Sequence, residues 1–272
     1  MQPGFAEVAA LVRRRAGIVL TEDKGYLLET RLGPVLSRFR IASIHALGDA
    51  LRRLPNERLE RAVVEALTTH ESSFFRDGRP FEHLRALLPR LAVAKGQDRV
   101  RIWSAACSTG QEAYSIAMLA TEGLGPSAAT RVEILGTDVS GKVVQRARDG
   151  SFTQFEVQRG LPIRALMSHF SQDGQRWRVR PALREMVRFE ERNLLADCAP
   201  LGRFEVIFCR NVLIYFDTPT KTRVLEMLAR QLAQDGVLYL GAAETVIGLT
   251  DRLMPVPGER GVYGLAAHRI AA

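Results

Sequence analysis

Residues 99–124 read RVRIWSAACSTGQEAYSIAMLATEGL, and their reading sets the class of the whole chain. The first part, RVRIWSAA, is a β-rich run, and QEAYSIAMLATEGL then follows helical spacing. Between them Ser104, Ala105, Ala106, Ser108, Thr109 and Gly110 are all small. Small residues past a strand let backbone approach a ligand closely, at the carboxyl edge where parallel sheets bind ligands. A dinucleotide fingerprint would need G-x-G-x-x-G, and this turn holds a single glycine. A tight turn packed with small residues would look the same.

The alternation continues towards the C-terminus. RVEILGTDV (131–139) reads as a strand, and SGKVVQRARDG as a helix ended by glycine. FEVIFCRNVLIYF (204–216) is a buried strand with a tail, followed by the helix TPTKTRVLEMLARQLAQDG. GVLYLGAAE (236–244) and GVYGLAAHR (261–269) form a terminal strand pair. Strands alternating with helices predict βαβ units and a parallel sheet covered on both faces. The segment from Phe170 to Glu191, with RWRVRP and MVRFEER, breaks the alternation as a short antiparallel insertion or a surface loop.

On the N-terminal side the pattern is helical only. FAEVAALVRRRAGI places Phe5, Val8, Ala9 and Val12 on one face and ends at Gly17. Asn56 can cap the helix in NERLERAVVEALTT. The expected organisation is a helical domain over 1–80, a linker helix over 81–98 (PFEHLRALLPRLAVAK at its heart) and an α/β domain over 99–272. The β insertion falls near 170–191.

The 272 residues carry a formal charge of +8 and ordinary globular composition, which implies an acidic partner. Cys107, Cys198 and Cys209 are scattered without metal or disulfide spacing, so no metal site is expected and a reducing compartment is. Neither a signal pattern nor an apolar run of spanning length is present, so the expectation is a cytoplasmic protein without membrane insertion.

Asp138, ending the second strand, can accept hydrogen bonds from both hydroxyls of a ribose. Its alternative role, capping the next helix, can be filled by Ser140. No lysine stands where a phosphate-binding loop would need one. Asn193 in ERNLLAD and Asn211 in CRNVLIYFD follow at strand ends, where their amides could meet an adenine edge or simply satisfy loop backbone. Leu194 and Val212 beside them would make an apolar slot for a base.

Taken in order, THESSFFRD (69–77), SAACSTGQEAYSIAM, LGTDVS, RNLL, FCRNVLIYFD and LYLGAAET resemble the chemotaxis receptor methyltransferase (CheR) family. The resemblance implies a Rossmann-like S-adenosylmethionine methyltransferase sheet with a small antiparallel β insertion, preceded by an all-α domain. It implies methyl esters formed on glutamates of chemoreceptor cytoplasmic helices, with S-adenosylhomocysteine as product. A receptor C-terminal peptide would dock at the β insertion. Carried over by position, the cofactor contacts would be His70, Ser72, Arg76, Glu112, Asp138, Asn193, Leu194, Asn211 and Val212. His70 stands where the family has Asn, and Ser72 where it usually has Thr. GAAET departs from the Gly-His-Ser-Glu form, and Glu244 receives no role.

Arg76 and Tyr215 are the expected catalytic pair, positioning an already ionised glutamate. Phe74 and Phe75 are expected to give apolar cover between the helical domain and the cofactor cleft, to be ordinary core at the domain junction, or both. Lys24, Arg31 and Arg38, seven residues apart, would form a basic stripe facing an acidic receptor helix, although Gly33-Pro34 interrupts the pattern. Methylation of nucleic acid is the first alternative, but no Asn/Asp-Pro-Pro-aromatic stretch supports it. A cofactor-binding sensor without catalysis is the second.

Overall fold

The N-terminal helices form because each carries an apolar stripe that the others cover. A computed structural model describes residues 4–53 and 55–266. The four helices are α1 (Phe5–Ala16), α2 (Gly25–Phe39), α3 (Ile44–Arg53) and α4 (Glu57–Leu67). Val8, Leu11, Val12, Leu28, Leu32, Leu47 and Val63 are buried among them. Gly17 closes α1 in the left-handed region at φ 73°, and the Asn56 side chain caps α4 by accepting from Leu59 N at 3.1 Å. Helix α2 runs through Gly33-Pro34 without a break, so Arg31 and Arg38 do share a continuous helix. Lys24 belongs to the 3-10 turn before it.

The chain re-enters this helical unit at Tyr215–Lys221. There Val19 N donates to the Tyr215 carbonyl at 2.8 Å, Ile18 bridges Phe216, and Arg13 pairs with Asp217 at 2.5 Å.

The second unit runs from His70 to Ile214 and resumes at Thr222. It contains α5 (Arg79–Ala94), β1 (Val100–Ala105), α6 (Gln111–Leu124), α7 (Ala128–Arg131), β2 (Val132–Asp138) and α8 (Gly141–Asp149). Next come β3 (Ser151–Thr153), α9 (Gln154–Gln158), α10 (Ile163–His169), β4 (Phe170–Asp173), β5 (Arg176–Val179) and α11 (Pro181–Arg184). It closes with β6 (Val187–Glu191), β7 (Phe204–Cys209), α12 (Thr218–Gln231, whose first turn lies in the helical unit), β8 (Leu232–Leu240), β9 (Leu253–Pro255) and β10 (Val262–Leu265). The main sheet has the order β6-β2-β1-β7-β8-β10-β9. Its first five strands are parallel, and β10 and β9 turn antiparallel at the edge. The terminal strand pair is therefore β8 with β10; Ala267–Arg269 of the expected strand lie outside the described residues.

Two expectations move. Residues 81–98 are not a linker: Phe81, Leu84, Leu88 and Leu91 of α5 are buried in the same core as Ile116 and Leu119 of α6. That apolar face ties α5 to the α/β unit, which begins at His70. The small sheet, ordered β3-β5-β4, spans Ser151–Val179 rather than 170–191. Val187–Glu191 instead lies parallel to β2, with Asp138 opposite Glu191. Period-two patterning is the same for an edge strand of either sheet, so pairing alone separates them. No helix among the described residues is long and apolar enough to cross a membrane.

Candidate functional site

The segments after β1, β2, β6 and β7 carry most of the polar side chains singled out by sequence. After β1, the small-residue turn bends through Ala106 (φ 62°) and Ser108 (φ 52°), both left-handed without being glycine. The bend turns the Ser108 N–H onto Asp138 Oδ2 at 2.9 Å, while Ser140 N donates to Oδ1 at 3.1 Å. Ser140 also accepts from Val143 N and caps α8, so Asp138 is released from that duty. Asp138 is buried, and desolvation raises its carboxyl above the ordinary value. The Ser140 amide, the nearby His70 ring and the Ser108 amide oppose that rise. His70 Nε2 stands 3.8 Å from Asp138 Oδ1, and the His70 carbonyl accepts from Ser108 Oγ.

A second group gathers around Arg210, which the sequence reading passed over. Its guanidinium is buried and donates to Glu112 Oε2 at 3.0 Å, Asp77 Oδ2 at 2.6 Å and the Arg76 carbonyl at 2.8 Å. Ser104 Oγ donates to the other Glu112 oxygen at 2.7 Å. Glu112, in the first turn of α6, is thus fixed by strand β1 on one side and by the residue after β7 on the other. The only advance signal was an arginine directly after the apolar run Val206–Cys209, which needs a carboxylate to be buried. Arg76 itself donates to the Glu71 carbonyl at 3.1 Å.

The third group is the turn after β7. Asn211 is left-handed at φ 58°, and the backbone N–H groups of Asn211, Val212, Leu213 and Ile214 all point at the Glu244 carboxylate. Asn193 uses its side-chain oxygen locally, accepting from Leu195 N at 2.9 Å, and Leu194 beside it is buried. Ser72 is half-buried in the THESSFFRD segment. Tyr215 ends the short 3-10 turn Leu213–Tyr215 and falls in the helical unit.

Among the described residues, six that are not glycine adopt positive φ, and Phe75, Asp77, Ala106, Ser108 and Asn211 are five of them. Each costs roughly 1–2 kcal/mol and persists only where surrounding contacts over-determine it. Five of the six lie in the segments that hold the candidate residues.

The two phenylalanines pack as core aromatics, as the second of the two expectations has it. Phe74 is fully buried, with its ring centroid 5.0 Å from Phe152 and 5.6 Å from Phe170, so it anchors the small sheet. Phe75, turned by φ 49°, donates its N–H to Ser115 Oγ at 3.0 Å and packs on Phe81. Both rings pack within the second unit, Phe74 in its core and Phe75 partly buried against it. The basic stripe is also partly engaged: Arg31 donates to the Leu67 carbonyl and Thr69 Oγ1, whereas Arg38 is exposed and lies over Phe39.

Two family models match the chain. "CheR methyltransferase, all-alpha domain" covers residues 3–68, and "CheR methyltransferase, SAM binding domain" covers residues 70–262. Chemotaxis protein methyltransferase 1 of Pseudomonas aeruginosa is 40% identical over 266 residues, which are 95% of this chain and 96% of that protein. Chemotaxis protein methyltransferase Cher2 of Pseudomonas putida is 37% identical over 264 residues, 95% of this chain and 96% of that protein. The chemotaxis protein methyltransferase of Vibrio parahaemolyticus is 38% identical over 265 residues, 95% and 94% of the two chains. With both models matched in order along nearly the whole sequence, the chain belongs to the CheR methyltransferase family.

Proposed function

We propose that the protein transfers a methyl group from S-adenosylmethionine to glutamate side chains on the cytoplasmic helices of chemoreceptors, giving methyl esters for sensory adaptation. The observation that carries this reading is Asp138: a buried carboxylate at the carboxyl end of β2, aimed by two backbone amides and with acceptor capacity to spare. Two vicinal ribose hydroxyls are what such a group suits. The turn from Ser104 to Gly110 suits the same ligand, because its small residues let backbone approach closely. Glu112 offers buried negative charge to the cofactor's cationic end. His70, Ser72, Arg76, Asn193, Leu194, Asn211 and Val212 are the further contacts proposed. When bound, S-adenosylmethionine supplies an electrophilic methyl group.

The chain's own task is alignment. A glutamate carboxylate is ionised at neutral pH and needs no general base. Arg76 and Tyr215 are proposed to hold it in line, where proximity and orientation alone can supply several kcal/mol of rate. An arginine that neutralised the nucleophile too tightly would blunt it, so Arg76 is given a positioning role. Arg31 and Arg38 with Lys24 are proposed to meet the acidic receptor helix, a long-range attraction that salt screens. A receptor C-terminal peptide is proposed to dock at the small sheet. There Arg146, Arg148, Arg176, Arg178 and Arg184 line a cavity of about 680 Å3 together with Asp149 and Ser151, which favours an acidic tail. These partners put the protein in the cytoplasm.

Incubation with labelled S-adenosylmethionine and receptor fragments tests the reading. Base-labile label on receptor glutamates, located by mass spectrometry, is expected; label on RNA or none at all would overturn it. Tyr215→Phe is expected to bind S-adenosylhomocysteine within a few-fold of wild type and to lose turnover; Arg76→Ala, which also removes a proposed cofactor contact, is expected to lose turnover by more than it loses binding. Full turnover in both removes the catalytic assignment.

A further inference from the structure

Glu244 lies in the loop after β8 and is only 8% exposed. Its carboxylate accepts five backbone N–H groups. Gly241 at 2.6 Å and Asn211 at 2.9 Å donate to Oε2; Val212 at 2.9 Å, Leu213 at 2.7 Å and Ile214 at 3.3 Å donate to Oε1. Because β7 and β8 are parallel neighbours with Cys209 opposite Leu240, this one side chain joins the loops beyond two adjacent strand ends. Successive N–H groups in a turn make a concavity that attracts negative charge, and here the chain fills it with its own carboxylate. The fit is close. A Cβ on Gly241 would stand 2.8 Å from both Asn211 Nδ2 and Glu244 Oε2, and 2.9 Å from Asn211 N, so position 241 admits no side chain.

We propose that Glu244 is a positioning residue for methyl transfer. It fixes the backbone from Asn211 to Ile214 before the cofactor arrives, and so holds the Asn211 amide and the Val212 side chain where they meet the cofactor. The proposal rests on the reading of those two residues as cofactor contacts. Five donors exceed the roughly four lone-pair sites of a carboxylate. Glu244 therefore has nothing left to offer a ligand or a substrate proton, and it acts through the turn it grips.

Glu244→Gln keeps the shape but turns an amide NH2 towards backbone donors. Gly241→Ala presses on the same contacts from the other side without touching the charge. With folding verified by circular dichroism, calorimetry is expected to show the Kd for S-adenosylhomocysteine raised about tenfold or more in both. KM for S-adenosylmethionine should rise by more than kcat falls, and Glu244→Asp should recover part of the loss. Wild-type affinity and KM in the folded variants, with only a lowered Tm, would make Glu244 a brace and overturn the proposal.

The wild type supplies a test that needs no variant. Amide hydrogen exchange at residues 211–214 is expected to be slow without cofactor, because the turn is already held. Fast exchange that slows only on adding S-adenosylhomocysteine would overturn preorganisation by Glu244. Wild-type protein that takes up no S-adenosylhomocysteine would bring down the cofactor reading and this proposal together, and that control separates the two failures.

Discussion

Asp138 and Glu244 are both buried carboxylates beyond the carboxyl ends of strands in one sheet, yet they are furnished in opposite ways. Asp138 accepts from the Ser108 and Ser140 amides, with the Val139 amide also acting on it, and Glu244 accepts from five. The first therefore keeps lone pairs for a ligand, and the second is saturated by the scaffold. Asp138 bears the consequence in its acidity: burial raises its carboxyl, and the donors at hand only partly offset this. Burial is common to both residues and does not distinguish them. The number of donors already spent does, and it separates a carboxylate with acceptor sites left from one that the scaffold saturates.

Glu112 is the case between, and breaking its support gives the largest expected effect. Its two oxygens are taken by the Ser104 hydroxyl and the buried Arg210 guanidinium. Arg210→Met would leave Glu112 in the core with one hydrogen bond and release Asp77 as well. Removing one partner of a buried ion pair typically costs about 3–5 kcal/mol. Glu112→Gln in the same background should restore part of it, because the uncompensated charge is gone. Denaturant unfolding of the two single variants and the double variant measures the coupling directly. A loss under about 1 kcal/mol for Arg210→Met would mean that this pair is not structural, and the division between spare and spent carboxylates would blur.

Asp138→Asn should separate function from stability. Each charge-assisted hydrogen bond to a ribose hydroxyl is worth about 1.5–3 kcal/mol, so affinity for S-adenosylhomocysteine should fall about a hundredfold or more. Stability should not fall with it. A carboxyl whose pKa is raised on folding binds its proton more tightly in the folded chain. The ligand-free protein then gains from that group below the ordinary value of 3.8 and loses the gain as pH rises through the raised one. The Asn variant lacks the penalty and should match or exceed wild-type Tm at neutral pH. Cofactor affinity of the wild type should move the other way, rising as Asp138 ionises. Calorimetry and thermal melts across acid to neutral pH read both slopes; a variant that binds like wild type would reverse the assignment.

The sequence exposed the groups that work through their own position and hid those that work through others. The change from helical to alternating periodicity near residue 99 is local, and so are the Asn56 cap, the Gly17 stop and the carboxylate ending GTDVS. Each could be read from its own place at the end of a helix or strand. Glu244 could not: four of its donors are backbone amides some thirty residues earlier, and a backbone amide has no letter. Arg210 is similar, with partners at Asp77 and Glu112 that only the folded sheet brings near. The small sheet was misplaced because Val187–Glu191 alternates in the same way whether it joins β5 or β2. Phe74 and Phe75 drew attention as a pair, but a left-handed Phe75 sends the two rings to different partners, and no propensity forecasts that φ.

The comparison can be sharpened at its weak end with Glu156, a carboxylate that is also fully engaged but sits nearer to water. Its Oε2 accepts from Thr153 N at 2.8 Å and Thr153 Oγ1 at 3.0 Å, and Arg146 pairs with Oε1, which makes a capping box at the start of α9. Burial pushes this carboxyl up, yet the Thr153 and Arg146 contacts outweigh it and hold the group below its ordinary value of 4.5. Its stabilisation is therefore complete above that value and is lost as pH falls through the depressed one. Glu156→Gln should cost about 1 kcal/mol at neutral pH and not more, because solvent screens the arginine pair and the amide keeps one acceptor. Cofactor affinity should stay within about twofold, since no candidate contact depends on α9. Urea unfolding at neutral and acid pH checks the sign: the two proteins should differ at pH 7 and converge in acid. A larger loss at neutral pH, or a fall in cofactor affinity, would show that engagement outweighs burial in setting what a carboxylate contributes here.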